Sequence, residues 1–483
     1  MTLYDIPAHI PFLDALARGV VQMAGGGSDP AALARTTLLL PNRRAARALR
    51  ESFLRAAGRN ALLLPRLRPL AGLSVEEADE LSLPALMDLP PAVDPARRLG
   101  VLTAMVMRLP PRFGGPSNPD QAWRLAQEMA TLLDEMALEG CDAAHLRDLV
   151  PEGLARHWQV THLFLEGVIA EWRGWLDGQG LMDIGDRRVA ALHAQAEAWR
   201  ADPPTDPVIA AGIGIGGTIP AAVDLLKVVA GLPRGAVVMH GAGEDVPRAL
   251  WDQLRDAHTH PHSGQSRLLD AMGAPAYGLP VWPGCGPGDD RAMEARAELF
   301  ARALRPAEGI DCWQEREPDR WRPALGGLTL LTAPDEAGEA AAIALLLREA
   351  VEKPGARAAL VTPDRDLARR VSVELARHGV LADDSAGMPL GSTPTGAFLR
   401  LIARMVAERF APVPLLAVLK HPLCAGGMDR QNWMRAVREM ERAVLRGPRP
   451  APGLGGLRLA ADAIVAGEVC ERAQGLIDAL ARC

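Results

Sequence analysis

One segment combines residue types at a spacing suited to holding phosphate. Leu38-Leu39-Leu40-Pro41-Asn42-Arg43-Arg44-Ala45-Ala46-Arg47 passes from an apolar strand pattern into a helical one. In α/β proteins a strand that ends in a tight turn delivers residues to the sheet's carboxyl edge, where ligands bind. Asn42, Arg43 and Arg44 would then stand at a helix N-terminus, whose N–H groups attract anions. Arg47 lies one turn further, on the same side. The plain alternative is a solvated arginine-rich helix face.

Other candidates are weaker. Gly212-Ile213-Gly214-Ile215-Gly216-Gly217-Thr218 has dinucleotide-loop spacing, but the acidic residue expected about 20 positions on is absent, since Glu244 and Asp245 come too late. A tight strand-to-helix turn explains the small residues. No G-x-x-x-x-G-K-[ST] occurs. Where one would precede the strand at 34–40 stands Ile6-Pro7-Ala8-His9-Ile10-Pro11-Phe12, with neither a lysine for phosphate nor a hydroxyl for Mg²⁺, so ATP hydrolysis by this chain is not expected. His258, His260 and His262 alternate, with prolines that favour an exposed loop over a metal site. Asp183/Asp186, Asp289/Asp290 and Asp383/Asp384 lack a following E-x-K at nuclease spacing, which favours capping or solvated roles. Trp123, Trp158, Trp172 and Trp175 recur at helix spacing and read as core rather than as base-stacking platforms.

The elements that would position these residues form a pattern. After the strand and helix around 34–53 comes an acidic, proline-broken stretch (76–95), then helical periodicity from 96 to 199. Strand-like runs return at Val208–Ile215 and Ala236–Met239, and 273–290 reads as a long surface loop. A second α/β alternation starts with strands expected at 328–331 and 358–362, each followed by a helix. The expected domains are residues 1–95 and 200–325 as one α/β core, 96–199 as a helical insertion, 326–425 as the start of a second α/β core, and 426–483 as the start of a second helical insertion, cut short.

Bulk properties set limits. The chain has 483 residues, 48% hydrophobic and 23% charged, ordinary for a globular protein of several domains. Net charge is -6, so any nucleic-acid contact must come from a local basic patch. Only Lys227, Lys353 and Lys420 are lysines, and the arginine excess is partly a mark of GC-rich coding. The six cysteines are scattered without a C-x-x-C pair, which suits a reducing cytoplasm. No membrane-length apolar run and no leader pattern occur, and a cytoplasmic location is expected.

Ordered fragments resemble one family. Ile10 to Ala17, Thr37 to Arg47 and Leu64-Pro65-Arg66-Leu67-Arg68-Pro69-Leu70 look like the opening of AddB from alphaproteobacterial AddAB helicase–nucleases. Gly180 to Arg188, Thr218 to Ala221, Leu232 to Val238, Ala359 to Val371 and Phe410 to Leu423 are similar to its continuation, so the resemblance covers most of residues 6–425. It implies superfamily 1 helicase-like (RecA-like) parallel-sheet cores with a large helical insertion. It implies an AddA-type partner that hydrolyses ATP with Mg²⁺ and acts on double-strand ends, while this helicase-like region handles single-stranded DNA in break repair and recombination. The family's exonuclease domain would lie beyond Cys483, so no catalytic, metal or cofactor residue is expected here. Where the family shows hydroxyls in the glycine loop, only Thr218 remains. The expected DNA contacts are Asn42, Arg43, Arg44, Arg47 and Thr218, with Thr362 and Arg365 as a weaker matching site in the second core. The rival expectation is a scaffold that binds no DNA and only docks onto the motor subunit.

Overall fold

The computed structural model describes residues 1–25, 30–58, 62–70, 89–108, 116, 118–142, 156–213, 219–242, 246–275, 278–286, 291–314, 318–463 and 468–481. The chain divides into two compact units, Met1–Leu328 and Thr329–Cys483.

The first unit is built on one parallel sheet. Its strands are β1 (Leu3–Ile6), β2 (Thr37–Leu40), β3 (Arg66–Pro69), β4 (Val208–Ala211) and β5 (Gly235–His240), in the spatial order β1-β5-β4-β2-β3. Every neighbouring pair is parallel, with Leu38 opposite Ile209 and Ile209 opposite Ala236. A parallel sheet must be covered on both faces, and successive residues here feed two different cores. Leu38, Leu40, Ile209, Ala211, Ala236 and Val238 meet α1 (Phe12–Met23) and α3 (Arg43–Ala57). Leu39, Ala210, Val237 and Met239 meet α8 (Pro220–Gly231) and α10 (Ser263–Met272) on the other face. Two short helices, α2 (Pro30–Arg35) and α9 (Arg248–Leu254), complete the connections.

The helical insertion expected at 96–199 is present as α4 (Pro95–Met107), α5 (Pro119–Glu139), α6 (Arg156–Gln179) and α7 (Ile184–Ala201). The first three share a core around Leu102, Met105, Ala126, Met129, Val168 and Trp172. Helix α7 instead lends Ala191, Leu192 and Ala196 to the sheet core, which ties the insertion to the α/β layer.

Within the stretch expected as a long surface loop, 273–290, the described residues 280–282 are built into the fold. Residues 280–282 run beside β1, with Asp5 N donating to Pro280 O and Trp282 N donating to Asp5 O. Trp282 is buried, stands edge-on to Tyr4 and donates its Nε1 to Ala15 O. A side chain at Gly19 would collide with its ring, so only glycine admits the indole. This strap covers the outer edge of β1, which would otherwise present unpaired backbone to other chains. Two further helices, α11 (Arg291–Ala303) and α12 (Pro318–Leu325), follow it.

The second unit corrects the expectation of a second sheet. Its helices are α13 (Glu336–Glu352), α14 (Arg365–Arg377), α15 (Pro394–Ala407), α16 (Pro412–Lys420), α17 (Arg430–Met440), α18 (Leu454–Asp462) and α19 (Glu468–Ala481). Helices α13 and α14 pack through Ala340, Ala344, Val371 and Leu375. The segments expected as strands at 328–331 and 358–362 run extended but form no ladder among the described residues, and Leu330 and Val361 are 94% and 93% exposed. A strand exists only when another strand takes its N–H and C=O groups, and apolar spacing alone cannot supply that partner. Helix α15 ends at Ala407, and Pro412 starts α16 at its first position, where its missing N–H costs nothing. The sharp turn before it puts Arg409 and Phe410 at positive φ. No helix among the described residues is long and apolar enough to cross a membrane.

Candidate nucleic-acid interface

The β2–α3 junction forms as the sequence predicts. Leu38, Leu39 and Leu40 are buried, and Asn42, in extended conformation, caps α3 by accepting from Ala45 N at 2.8 Å. The helix anchors itself on the sheet through Ala46, Leu49 and Phe53, and Gly58 ends it in the left-handed region. Arg43, Arg44, Arg47 and Arg50 are left on the exposed surface. No described carboxylate forms an ion pair with Arg47 or Arg50, whereas Arg55, at the far end, pairs with Asp14 at 2.6 Å. The first turn of α3 carries no acidic residue. Arginines there face the positive end of the helix dipole, an arrangement that mildly destabilises the free protein and favours a bound anion.

The topology gives this junction a second meaning. Neighbouring strands β2 and β4 send their chains to opposite faces, β2 into α3 and β4 into α8. Such a switch point opens a crevice beyond the strands' carboxyl ends, and ligands of open α/β sheets bind there. At this end of the sheet β2 leads into the arginine-bearing start of α3. Strand β4 leads into Gly212, at φ +66°, which presses on the Phe12 ring so closely that a Cβ would lie 2.9 Å from it. Thr218 lies outside the described residues.

The weaker matching site does not assemble in the same way. Thr362 Oγ1 accepts from Asp364 N at 3.0 Å, and Asp364 caps α14. Arg365 is held bidentately by Asp384, at 3.1 and 2.6 Å, and also donates to Gly387 O. A guanidinium already matched to a carboxylate fork has little left for a phosphate. Sequence reasoning missed Asp384 as its partner because the two are 19 positions apart, with helix α14 and the segment after it between them.

Several other candidates resolve into structural roles. Asp183 caps α7 through Ile184 N and accepts from Trp172 Nε1 at 2.7 Å. His260 bonds Leu304 O, and His262 meets Gln265 at 2.8 Å. Asp289 and Asp290 lie outside the described residues. Trp172 is buried and stacks on Trp175 at 5.2 Å, as core. Trp123, by contrast, is 41% exposed. Arg50 went unnoticed in the sequence, though its spacing of three from Arg47 puts both on one helix face. Compared with known proteins, the chain matches no protein-family model and no curated protein.

Proposed function

We propose that this chain is the helicase-like portion of an AddB-type subunit, and that it holds single-stranded DNA while an AddA-type partner hydrolyses ATP and drives the complex during double-strand-break repair. The single observation that supports this most is the exposed arginine group of α3, placed at a sheet switch point in a chain whose net charge is -6. A concentrated positive site on an acidic protein selects a polyanion locally rather than attracting it globally. Contacts of this kind position a strand without reading its sequence. The loop after β1, Pro7-Ala8-His9-Ile10, carries no lysine and no hydroxyl, which agrees with a superfamily 1-like core that leaves ATP chemistry to its partner.

The test is the salt dependence of single-strand binding by the chain with its partner, wild type against Arg43→Ala/Arg44→Ala. Each neutralised phosphate contributes roughly 0.7 to the log–log slope, so the double variant should lose affinity and about 1.4 from the slope's magnitude. An unchanged slope removes the site. A wild-type chain that binds no single strand at low salt, yet still joins the motor subunit, supports the scaffold reading instead.

A further inference from the structure

The same sheet has a second crevice at its other end. Strands β1 and β5 are neighbours and end level, Ile6 opposite His240. From there β1 leads to α1 on one face, while β5 leads to α9 and α10 on the other. This is again the geometry in which a parallel sheet receives a ligand. A cavity of about 440 Å³ occupies the place, lined by Pro7, Ala8, His9, Gly241, Arg291, Glu294 and Glu298 among others. That volume is within the range of small-molecule sites, roughly 300–1,000 Å³.

The floor of the cavity is held by backbone hydrogen bonds. The loop after β1 closes as a tight turn, with Ile10 N donating to Pro7 O at 3.0 Å. Gly241 N donates to Ile6 O, and at φ +60° a Cβ on Gly241 would lie only 3.0 Å from that of Ala8. Buried Asp5 holds Ala242, just beyond β5, by accepting from its N at 3.0 Å. Helix α11 forms the facing wall, and its Arg291, Glu294 and Glu298 follow one helix face. Glu298 is held by Arg320. His9, Arg291 and Glu294 form no ion pair or side-chain hydrogen bond with any described residue.

Opposite charges that line one concave site without neutralising each other define what fits between them. Arg291 and His9 can receive an anionic head, and Glu294 can receive a cation. Glu294 opposes a polyphosphate, whose several negative charges exceed what Arg291 and His9 can balance. We infer that the β1/β5 crevice is a binding site for a small ampholyte, an α-amino acid by chemistry, with its carboxylate on Arg291 and His9 and its ammonium group on Glu294. The site is separate from the arginines of α3 and does not depend on their role.

The experiment is thermal-shift screening of the whole chain with the standard α-amino acids at millimolar concentration, followed by calorimetric titration of any that raises the Tm. The expected result is at least one binder whose N-acetyl and carboxamide derivatives each bind at least about tenfold more weakly, because each has lost one charge. Arg291→Ala and Glu294→Gln should each weaken that binder by a similar factor while leaving the ligand-free Tm and the single-strand affinity unchanged. The inference is overturned if no amino acid shifts the Tm, or if AMP binds and amino acids do not. It is overturned equally if a binder tolerates loss of either charge.

Discussion

Two groups of arginines in the first unit have opposite fates. Arg98, at the start of α4, is 4% exposed. Its guanidinium donates to Asp134 Oδ2 at 3.1 Å, to Ala130 O at 3.2 Å and to Asp183 Oδ2 at 3.1 Å, with Nε 2.9 Å from the second Asp183 oxygen. Since Asp183 also receives the Trp172 indole and caps α7, this carboxylate links α4, α6 and α7, and Arg98 adds α5 through Asp134 and Ala130. Arg43, Arg44, Arg47 and Arg50 also stand on a helix, α3, but remain at the surface. Residue type and helical spacing do not distinguish these groups. What separates them is whether the fold excludes water. Arg98 is buried among its carboxylates and belongs to the architecture, whereas the arginines of α3 keep their guanidinium groups at the surface, within reach of a ligand.

This contrast can be broken most directly at Arg98. Arg98→Ala should destabilise the chain by about 3–5 kcal/mol, because Asp183 stays buried without its counter-charge. Urea unfolding followed by circular dichroism measures it, and a loss below about 1 kcal/mol would place Arg98 with the surface group. Trp172→Phe keeps most of the ring and removes one donor to the same carboxylate, and should cost about 1.5–3 kcal/mol by the same measurement.

On the other side, Asn42→Ala removes the cap of α3 and should cost about 1 kcal/mol, with single-strand affinity falling as the arginine-bearing turn frays. Arg47→Ala should leave stability within about 0.5 kcal/mol of wild type. It should lower the magnitude of the salt slope by roughly 0.7 if Arg47 meets one phosphate. A clear stability loss in that variant would mean Arg47 is structural after all.

The smallest effect is expected at Asp186. Burial raises its pKa above the ordinary 3.8, and the neighbouring Asp183 charge adds to the rise. A carboxyl with a raised folded-state pKa disfavours the folded state when ionised. That penalty is complete above the raised value and disappears as pH falls below the unfolded one. Asp186→Asn should therefore raise the Tm slightly at neutral pH, and the gain should shrink as the pH is lowered through the carboxylate range. A gain independent of pH would assign the effect to packing.

Much of the first unit was legible because its signals are local. The Leu38–Leu40 run, the stop at Pro41, the cap at Asn42 and the stripe of Ala46, Leu49 and Phe53 lie within a few residues of one another, and each keeps its meaning in the fold. The helical insertion was readable for the same reason. Strand β1 was not, because four residues with a buried aspartate among them make a poor apolar run. Its strand character comes from β5 and the 280–282 strap on either side.

The sequence by itself determined the helices, their caps and the concentration of arginine after β2, since propensity and capping act over one or two turns. Only the tertiary structure decided the sheet order, the two crevices, the burial of Trp282 and the pairing of Arg365 with Asp384. The same holds for the strand patterns at 328–331 and 358–362, which remain unpaired among the described residues. These outcomes depend on contacts between residues far apart in the chain, and periodicity does not record which distant backbone or side chain will be the partner.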